Sequence, residues 1–368
     1  MTMSRKAPYE KRLGGLQRER ESFLSHWREI SEFMLPRRGR FLDPERNRGG
    51  KLNQRIINNT ATLALRTLAH GMMAGLTSPA RPWFRLATQD PAMMELPDVQ
   101  AWLHHVQRLM MATFNKSNLY NVLPTIYSEL GAFGTGAMLT QPDSEAVVRF
   151  YALTAGEYVI GQDERLSVDT LYREFRMTVG QLVNMFGRDR VSERTGAAFE
   201  NGQLDQWVDV VHAIEPNDHR DPRFRDAVNM AFRSIWYEKG GDADRLLRES
   251  GYPSFPCQVS RWDLLGGDFY GRSPAMDALG DVKQLQTQER QKGEAIERNM
   301  KPPLQGPANG TMKAHVVQNI PGGYTAVTED AHGNGVRPIY QVRSSIGEIS
   351  ADIQLIEQRI RRALYEDL

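Results

Sequence analysis

Residues 267–304 read GDFYGRSPAMDALGDVKQLQTQERQKGEAIERNMKPPL. The stretch opens as a well-specified helix and then leaves its second half with almost nothing apolar to bury. Ser273 is placed to cap the free amides and Pro274 suits the first helical position, while Asn299 and the Pro302-Pro303 pair mark the end. About 27 residues at roughly 1.5 Å each make a rod of about 40 Å. Met276, Leu279 and Val282 form a short apolar stripe, but Gln286 to Glu294 reads QTQERQKGE, without a large hydrophobe. Such a helix is not the buried centre of a monomer. Arg290, Glu294 and Arg298 recur at four-residue steps, a charge ladder worth a few tenths of a kcal/mol per pair. A solvated helix on a large enzyme is the plain alternative.

Downstream, residues 301–343 read as a β-rich insert. Asn309-Gly310 and Asn334-Gly335 supply hairpin turns around HVVQNI and YTAVTE, and VRPIYQV follows the second turn. A second rod then begins. Ile346, Ile349, Ile353, Ile356, Ile360 and Leu364 step by three and four down one face, with Arg359, Arg362 and Glu366 on the other. This stripe is a seam suited to pairing with other helices. Leu368 falls in mid-pattern without a cap, so more chain is expected beyond it.

Upstream, residues 10–35 read as an amphipathic helix with Leu16, Phe23, Trp27, Ile30 and Met34 on one face, ended by Leu35-Pro36. The loop RRGR follows, and with Arg46, Arg48, Lys51 and Arg55 it makes the first sixty residues the most basic part of the chain, either a solvated patch or a contact for a partner or nucleic acid. Further helices are expected over about 58–76, 97–115 and 123–133. The period then changes to two: AMLTQ, AVVRFYAL, EYVIGQD and VDTLYREFRMT read as strands, TVGQLVNMFG as a short helix, and QWVDVVHAI, MAFRSIWYE and FPCQVSRWDL as further strands. The class is α+β, helices first and a mixed or antiparallel sheet after them.

Composition narrows the function. A chain of 368 residues that is 40% hydrophobic has material for two or three domains and a real core. Lys and Arg number 46 against 45 acidic residues, a net charge of +1, which argues against a protein that grips phosphates over its whole surface. The single cysteine, Cys257, forms no internal disulfide and reads as a buried structural thiol in a strand. The N-terminus MTMSRKAPYEKRLGG lacks the apolar core of a secretory signal, and the greasiest run, Ala61 to Leu76, carries Arg66 and His70 and is too short to span a bilayer. No membrane partner is expected.

Catalytic constellations are missing. RGGKLN lacks both the spacing of a phosphate loop and its hydroxyl. GAFGTGAM, with Gly131, Gly134 and Gly136, follows a helix rather than a strand, which favours close backbone packing over dinucleotide binding. HRDPRFRDAVN shares only three letters with a kinase catalytic loop. The adjacent His104 and His105 point to different faces of a helix. No catalytic, cofactor or metal site is expected, and the chain reads as a non-enzyme.

NTATLALRTLAHGMMAGLTSPARPWFRL, ELGAFGTGAML, SRWDLLGGDFYGRSPAMDALGDVKQL and QLIEQRIRRALYEDL, in that order, resemble the portal or head-to-tail connector proteins of short-tailed bacteriophages. That resemblance implies a ring of identical subunits, usually a homododecamer, at one capsid vertex, with double-stranded DNA passing through its channel in packaging and ejection. It implies a wing body (1–270), a descending stem helix (271–300), a clip (301–343) and an ascending stem helix (344–368), the two stem helices antiparallel around the clip. A tunnel loop, long wing helix and crown would lie beyond 368. On this scheme Lys283, Arg290, Lys292, Glu294, Arg298, Arg359 and Arg362 are candidates to face the channel, and Ile346, Ile349, Ile353, Ile356 and Ile360 to form an oligomer seam. Asn309, Asn334, Arg337 and Tyr340 are candidates for clip docking. The implied partners are a terminase motor, which would hydrolyse ATP, a tail adaptor, and the major capsid and scaffolding proteins. The implied location is the virion's portal vertex, after assembly in the host cytoplasm. A nucleic-acid-processing enzyme and a tail or capsid protein without a DNA channel are the alternatives.

Overall fold

The structure, a computed structural model, describes residues 5–41, 51–224, 226–242, 245–300 and 346–366, with backbone alone for 304–305 and 337–338. The chain begins with helix α1 (Ala7–Phe33), α2 (Thr60–Leu76), the short α3 (Pro91–Met94), α4 (Pro97–Lys116) and α5 (Leu119–Phe133). Strands follow: β1 (Thr135–Asp143), β2 (Val147–Leu153), β3 (Tyr158–Gln162) and β4 (Val168–Thr178). Helices α6 (Val179–Phe186) and α7 (Glu193–Glu200) precede β5 (Trp207–Pro216), β6 (Phe232–Glu238), β7 (Arg248–Tyr252) and β8 (Cys257–Arg261). Last come α8 (Pro274–Met300), the two-residue strands β9 (Leu304–Gln305) and β10 (Arg337–Pro338), and α9 (Ile346–Ala363).

The strands are antiparallel throughout the described residues but divide into separate sheets, β2-β1-β8 and β3-β4-β5-β6-β7, where the sequence suggested one. The division is topological: β1 takes β8, more than a hundred residues away, as its second neighbour, so the register Thr135↔Arg261 to Leu139↔Cys257 closes a long loop that no local pattern announces. Strand β7 (RESGY) and helix α7 also escaped the sequence reading, being short and weakly apolar. Cys257 is buried in β8, as expected.

Helix α1 serves two cores because it is long. Tyr9, Leu13 and Leu16 pack with Val159, Tyr172, Val211 and Tyr237 of the larger sheet. Three turns on, Trp27, Ile30 and Met34 enter the main core with residues of α2, α5, α8 and α9. Trp27 also donates from Nε1 to the Phe133 carbonyl (3.0 Å), which satisfies its one polar atom inside the core.

The glycines of GAFGTGAM are packing residues. Gly134 ends α5 in the left-handed region (φ +75), and a Cβ there would stand 2.1 Å from the Gly271 carbonyl oxygen. That approach lets the Gly271 amide donate to Thr135 Oγ1 (3.0 Å), the Trp262 amide to the Gly134 carbonyl (2.9 Å), and Ser273 Oγ to the Ala132 carbonyl (2.7 Å). The start of α8 is thereby anchored to the end of α5. Ser273 Oγ also accepts from the Met276 amide (3.1 Å), and Pro274 occupies the first turn, so the cap read from the sequence is present.

Candidate functional site

Helices α8 and α9 carry the channel and seam candidates, and the side-chain contacts between them define how they run. Asp281 pairs with Arg359 (3.0 Å), and two helical turns further along α8 Gln288 donates to Asp352 (2.5 Å). Moving forward along α8 means moving backward along α9, so the pair is antiparallel. At the far end of α8 the backbone ladder of β9 with β10, Leu304↔Pro338 and Gln305↔Arg337, brings the two sides of the insert together. Asn309, Asn334 and Tyr340, with most of residues 301–343, lie outside the described residues, and Arg337 is described only through that backbone pairing.

The first half of α8 belongs to the core. Met276, Leu279, Val282 and Leu285 are buried, whereas every residue from Thr287 to Met300 is half-buried or exposed. The apolar stripe of α9 behaves differently from its expected role as an oligomer seam. Ile353, Ile356 and Ile360, together with Leu364, are buried in the chain's own core beside Leu279, Val282 and Leu285 of α8 and Ala61, Ala64 and Leu65 of α2. The seam assignment is therefore corrected for these three isoleucines. Their side chains are spent within one protomer, because α8 and α2 already fill the holes that a neighbour's helix would have filled. Ile346 and Ile349 are only half-buried. A large apolar side chain left outside on α9 is Leu355, 59% exposed.

The charged candidates separate by position. Lys283 faces α1, where it pairs with Glu29 (2.8 Å) and lies over the Phe33 ring, so it braces the body. Arg359 braces α9 against α8 through Asp281. Lys292 lies half-buried near Glu289 (3.4 Å). Arg290, Glu294, Arg298 and Arg362 are exposed, with Arg298 and Glu294 at 3.9 Å along one face. The interleaved ladder on the second half of α8 thus stands in solvent in the isolated chain.

Asn58, which sequence reasoning missed, ties this pair to α2. Its Nδ2 donates to Glu289 of α8 (3.0 Å) and to Glu357 of α9 (2.8 Å), while its Oδ1 accepts from the Thr60 amide (3.0 Å) and hydroxyl (2.7 Å). Gln286 completes the knot: its Oε1 accepts from the Ile57 and Asn58 amides and its Nε2 donates to the Asn58 carbonyl. The only local signal was an asparagine pair ahead of a helix start, which reads as a cap.

Elsewhere, a cleft of about 160 Å³ lies beside α7 and is lined in part by Ser192, Thr195, Asp209, Glu238 and Lys239. Both Ser192 and Thr195 donate their hydroxyls to Glu238 (2.6 Å each), and the Ser192 amide does so too (2.7 Å). The carboxylate is consumed in capping α7, and no histidine lines the cleft to act as a base. Among the described residues no group of three or more His, Cys, Asp or Glu is placed to hold a metal ion, and no helix is long and apolar enough to cross a membrane.

An α+β body bearing an antiparallel helix pair, the first helix half sunk in the core and half exposed, is the architecture that accompanies the sequence strings noted above. The family model of the bacteriophage head to tail connecting protein matches residues 6–368, and the chain belongs to that family. It is 50% identical over 357 residues to the probable portal protein of Bordetella phage BPP-1, and 44% identical over 359 residues to the portal protein of Salmonella phage epsilon15. Each alignment covers 97% of this chain and 64% of the relative, so the chain spans about two thirds of the length of these portal proteins, or slightly less. Among solved structures, it matches a chain of the neck of a native GTA particle computed with C12 symmetry, with a TM-score of 0.33, 9% identity, and coverage of 67% of this chain and 54% of that one.

Proposed function

We propose that the chain is a portal subunit, copies of which form a ring, twelve-fold on the family resemblance, at one capsid vertex. Double-stranded DNA passes through the ring during packaging and ejection. In this reading residues 1–270 are the wing, α8 and α9 the stem, and residues 301–343 the clip, on which a terminase motor docks first and a tail adaptor later; major capsid and scaffolding proteins surround the wing. The subunit assembles in the host cytoplasm and resides in the virion. It is a conduit and platform rather than an enzyme, with ATP hydrolysis belonging to the terminase.

The observation that carries this reading is the exposed half of α8 in a chain of this family. A helix from Thr287 to Met300 with no buried side chain gains little by protruding from a monomer. In a ring wall, its sides meet neighbouring subunits and its remaining face meets water and DNA. The alternation of Arg290, Glu294 and Arg298 suits a moving polyanion, since a ring of unopposed cations would bind phosphates strongly and stall it. Native mass spectrometry and negative-stain imaging test the reading. A closed ring with an axial hole is expected; a compact monomer at micromolar concentration refutes it.

A further inference from the structure

Glu129, on α5, is completely buried, at 0% exposure. Its Oε1 accepts from the Thr154 hydroxyl (2.8 Å) and its Oε2 from the Ala155 amide (3.0 Å). Arg38 faces it, yet the Arg38 guanidinium donates to Thr125 (3.3 Å). The carboxyl therefore sits in the core on two neutral donors: burial favours its uncharged form, and the two hydrogen bonds offset that preference only in part.

The turn that Glu129 holds, residues 154–156, also holds the arginine-bearing loop after α1. The Gly39 amide donates to Thr154 Oγ1 (2.9 Å) and the Arg40 amide to the Ala155 carbonyl (2.9 Å). Phe41 lies on Gly156, whose φ of +91 and whose missing Cβ, 2.8 Å from the ring if present, make room for it. The Phe41 ring then packs against Trp27 (5.8 Å) and Phe133 (5.6 Å). One buried carboxyl thus supports one side of a turn whose other side carries Arg37, Arg38 and Arg40.

We propose that Glu129 is a proton-controlled latch, which holds the 154–156 turn and the 37–41 loop against the body when neutral and lets them open more readily when ionised. Opening hydrates the carboxyl, so a charge on it favours the open form. Burial pushes the group up to about 7, Glu157 adds to the rise, and the two hydrogen bonds and Arg38 oppose it. The other charged groups around it are fixed by partners of their own. Glu157 pairs with Arg173 (2.6 Å) and Arg40 (3.8 Å), Arg20 of α1 donates to the Gly156 and Tyr158 carbonyls, and the Tyr158 phenol is kept neutral by burial. Because the closed-state value lies above the ordinary 4.5, the latch is tightest below pH 4.5, loosens as pH rises, and reaches its loosest state above about pH 7.

Hydrogen–deuterium exchange on the intact protein tests this, with rates corrected for the intrinsic pH dependence. Peptides spanning 36–41 and 153–157 are expected to open roughly tenfold more at pH 8 than at pH 6, with a plateau above about pH 7, while peptides from β5 stay level. In Glu129→Gln the rise is expected to vanish. Equal wild-type protection at both pH values, or the same rise in Glu129→Gln, overturns the latch. Should that variant fail to fold, the wild-type profile still decides: a rise confined to these peptides supports the latch, and a flat or global one refutes it.

Discussion

Neighbouring residues 355 and 356 are expected to respond in opposite ways to truncation. Ile356 is 0% exposed, in the cluster that joins α9 to α8 and α2, whereas Leu355 is 59% exposed on the other side of the same helix. Ile356→Ala removes three carbons from a packed site. At about 0.8 kcal/mol per buried methylene this is about 2.4 kcal/mol of transfer free energy. The cavity adds to it, giving about 3 to 4 kcal/mol. Spread over a chain of 368 residues unfolding as one unit, that lowers Tm by on the order of 5 °C. Leu355→Ala is expected to move protomer stability by no more than about 0.5 kcal/mol, and any effect should appear in sedimentation as weaker assembly. Paired urea titrations measure the first effect and sedimentation velocity the second. If Ile356→Ala costs less than about 1 kcal/mol, or abolishes rings while leaving protomer stability untouched, then the isoleucine stripe faces another subunit and its placement in the protomer core is wrong.

Three further outcomes follow from single sites. Gly134→Ala forces a Cβ to within 2.1 Å of the Gly271 carbonyl at a left-handed backbone position and should cost more than about 3 kcal/mol; Gly293→Ala, in α8 with nothing within 4 Å, should be neutral or stabilising by up to about 1 kcal/mol, as thermal melts of the two will show. Cys257 is buried and burial pushes its thiol up, so a thiol-reactive dye should leave the native protein unlabelled and titrate one thiol after denaturation. Trp83, stacked on Phe114 (6.2 Å) and donating to the Tyr120 hydroxyl (3.1 Å), is only half-buried, so Trp83→Ala should cost about 2 kcal/mol; unchanged melting would mean the ring contributes nothing to the fold.

Much of the candidate site was legible because its signals are local. The Ser273-Pro274 start, the apolar stripe that fades after Leu285 and the three-and-four stepping of the α9 isoleucines each need only a few consecutive turns to be read. The partner that each face meets was not legible. An isoleucine stripe looks the same whether it packs on its own chain or on a neighbour, and Lys283 looks like any other stem cation until Glu29 and Phe33 of α1 are brought beside it. Glu129 did leave a trace: it falls in step with Ile126, Leu130 and Phe133, a carboxylate on an otherwise apolar face. Its two donors, however, lie 25 and 26 residues further on.

By itself, then, the sequence determined the α+β class, the capped rod with an uncovered second half, the seam-like periodicity and the order of strings that places the chain among head to tail connecting proteins. Period, capping and turn chemistry act over a handful of residues, so they survive in a linear reading. Only the tertiary structure decided that β1 pairs with β8, that Asn58 knots α2 to both long helices, and that Ile353, Ile356 and Ile360 are buried within one protomer. Each of these depends on chain closure over long separations, where the choice among chemically equivalent partners is made by the packing of the whole core.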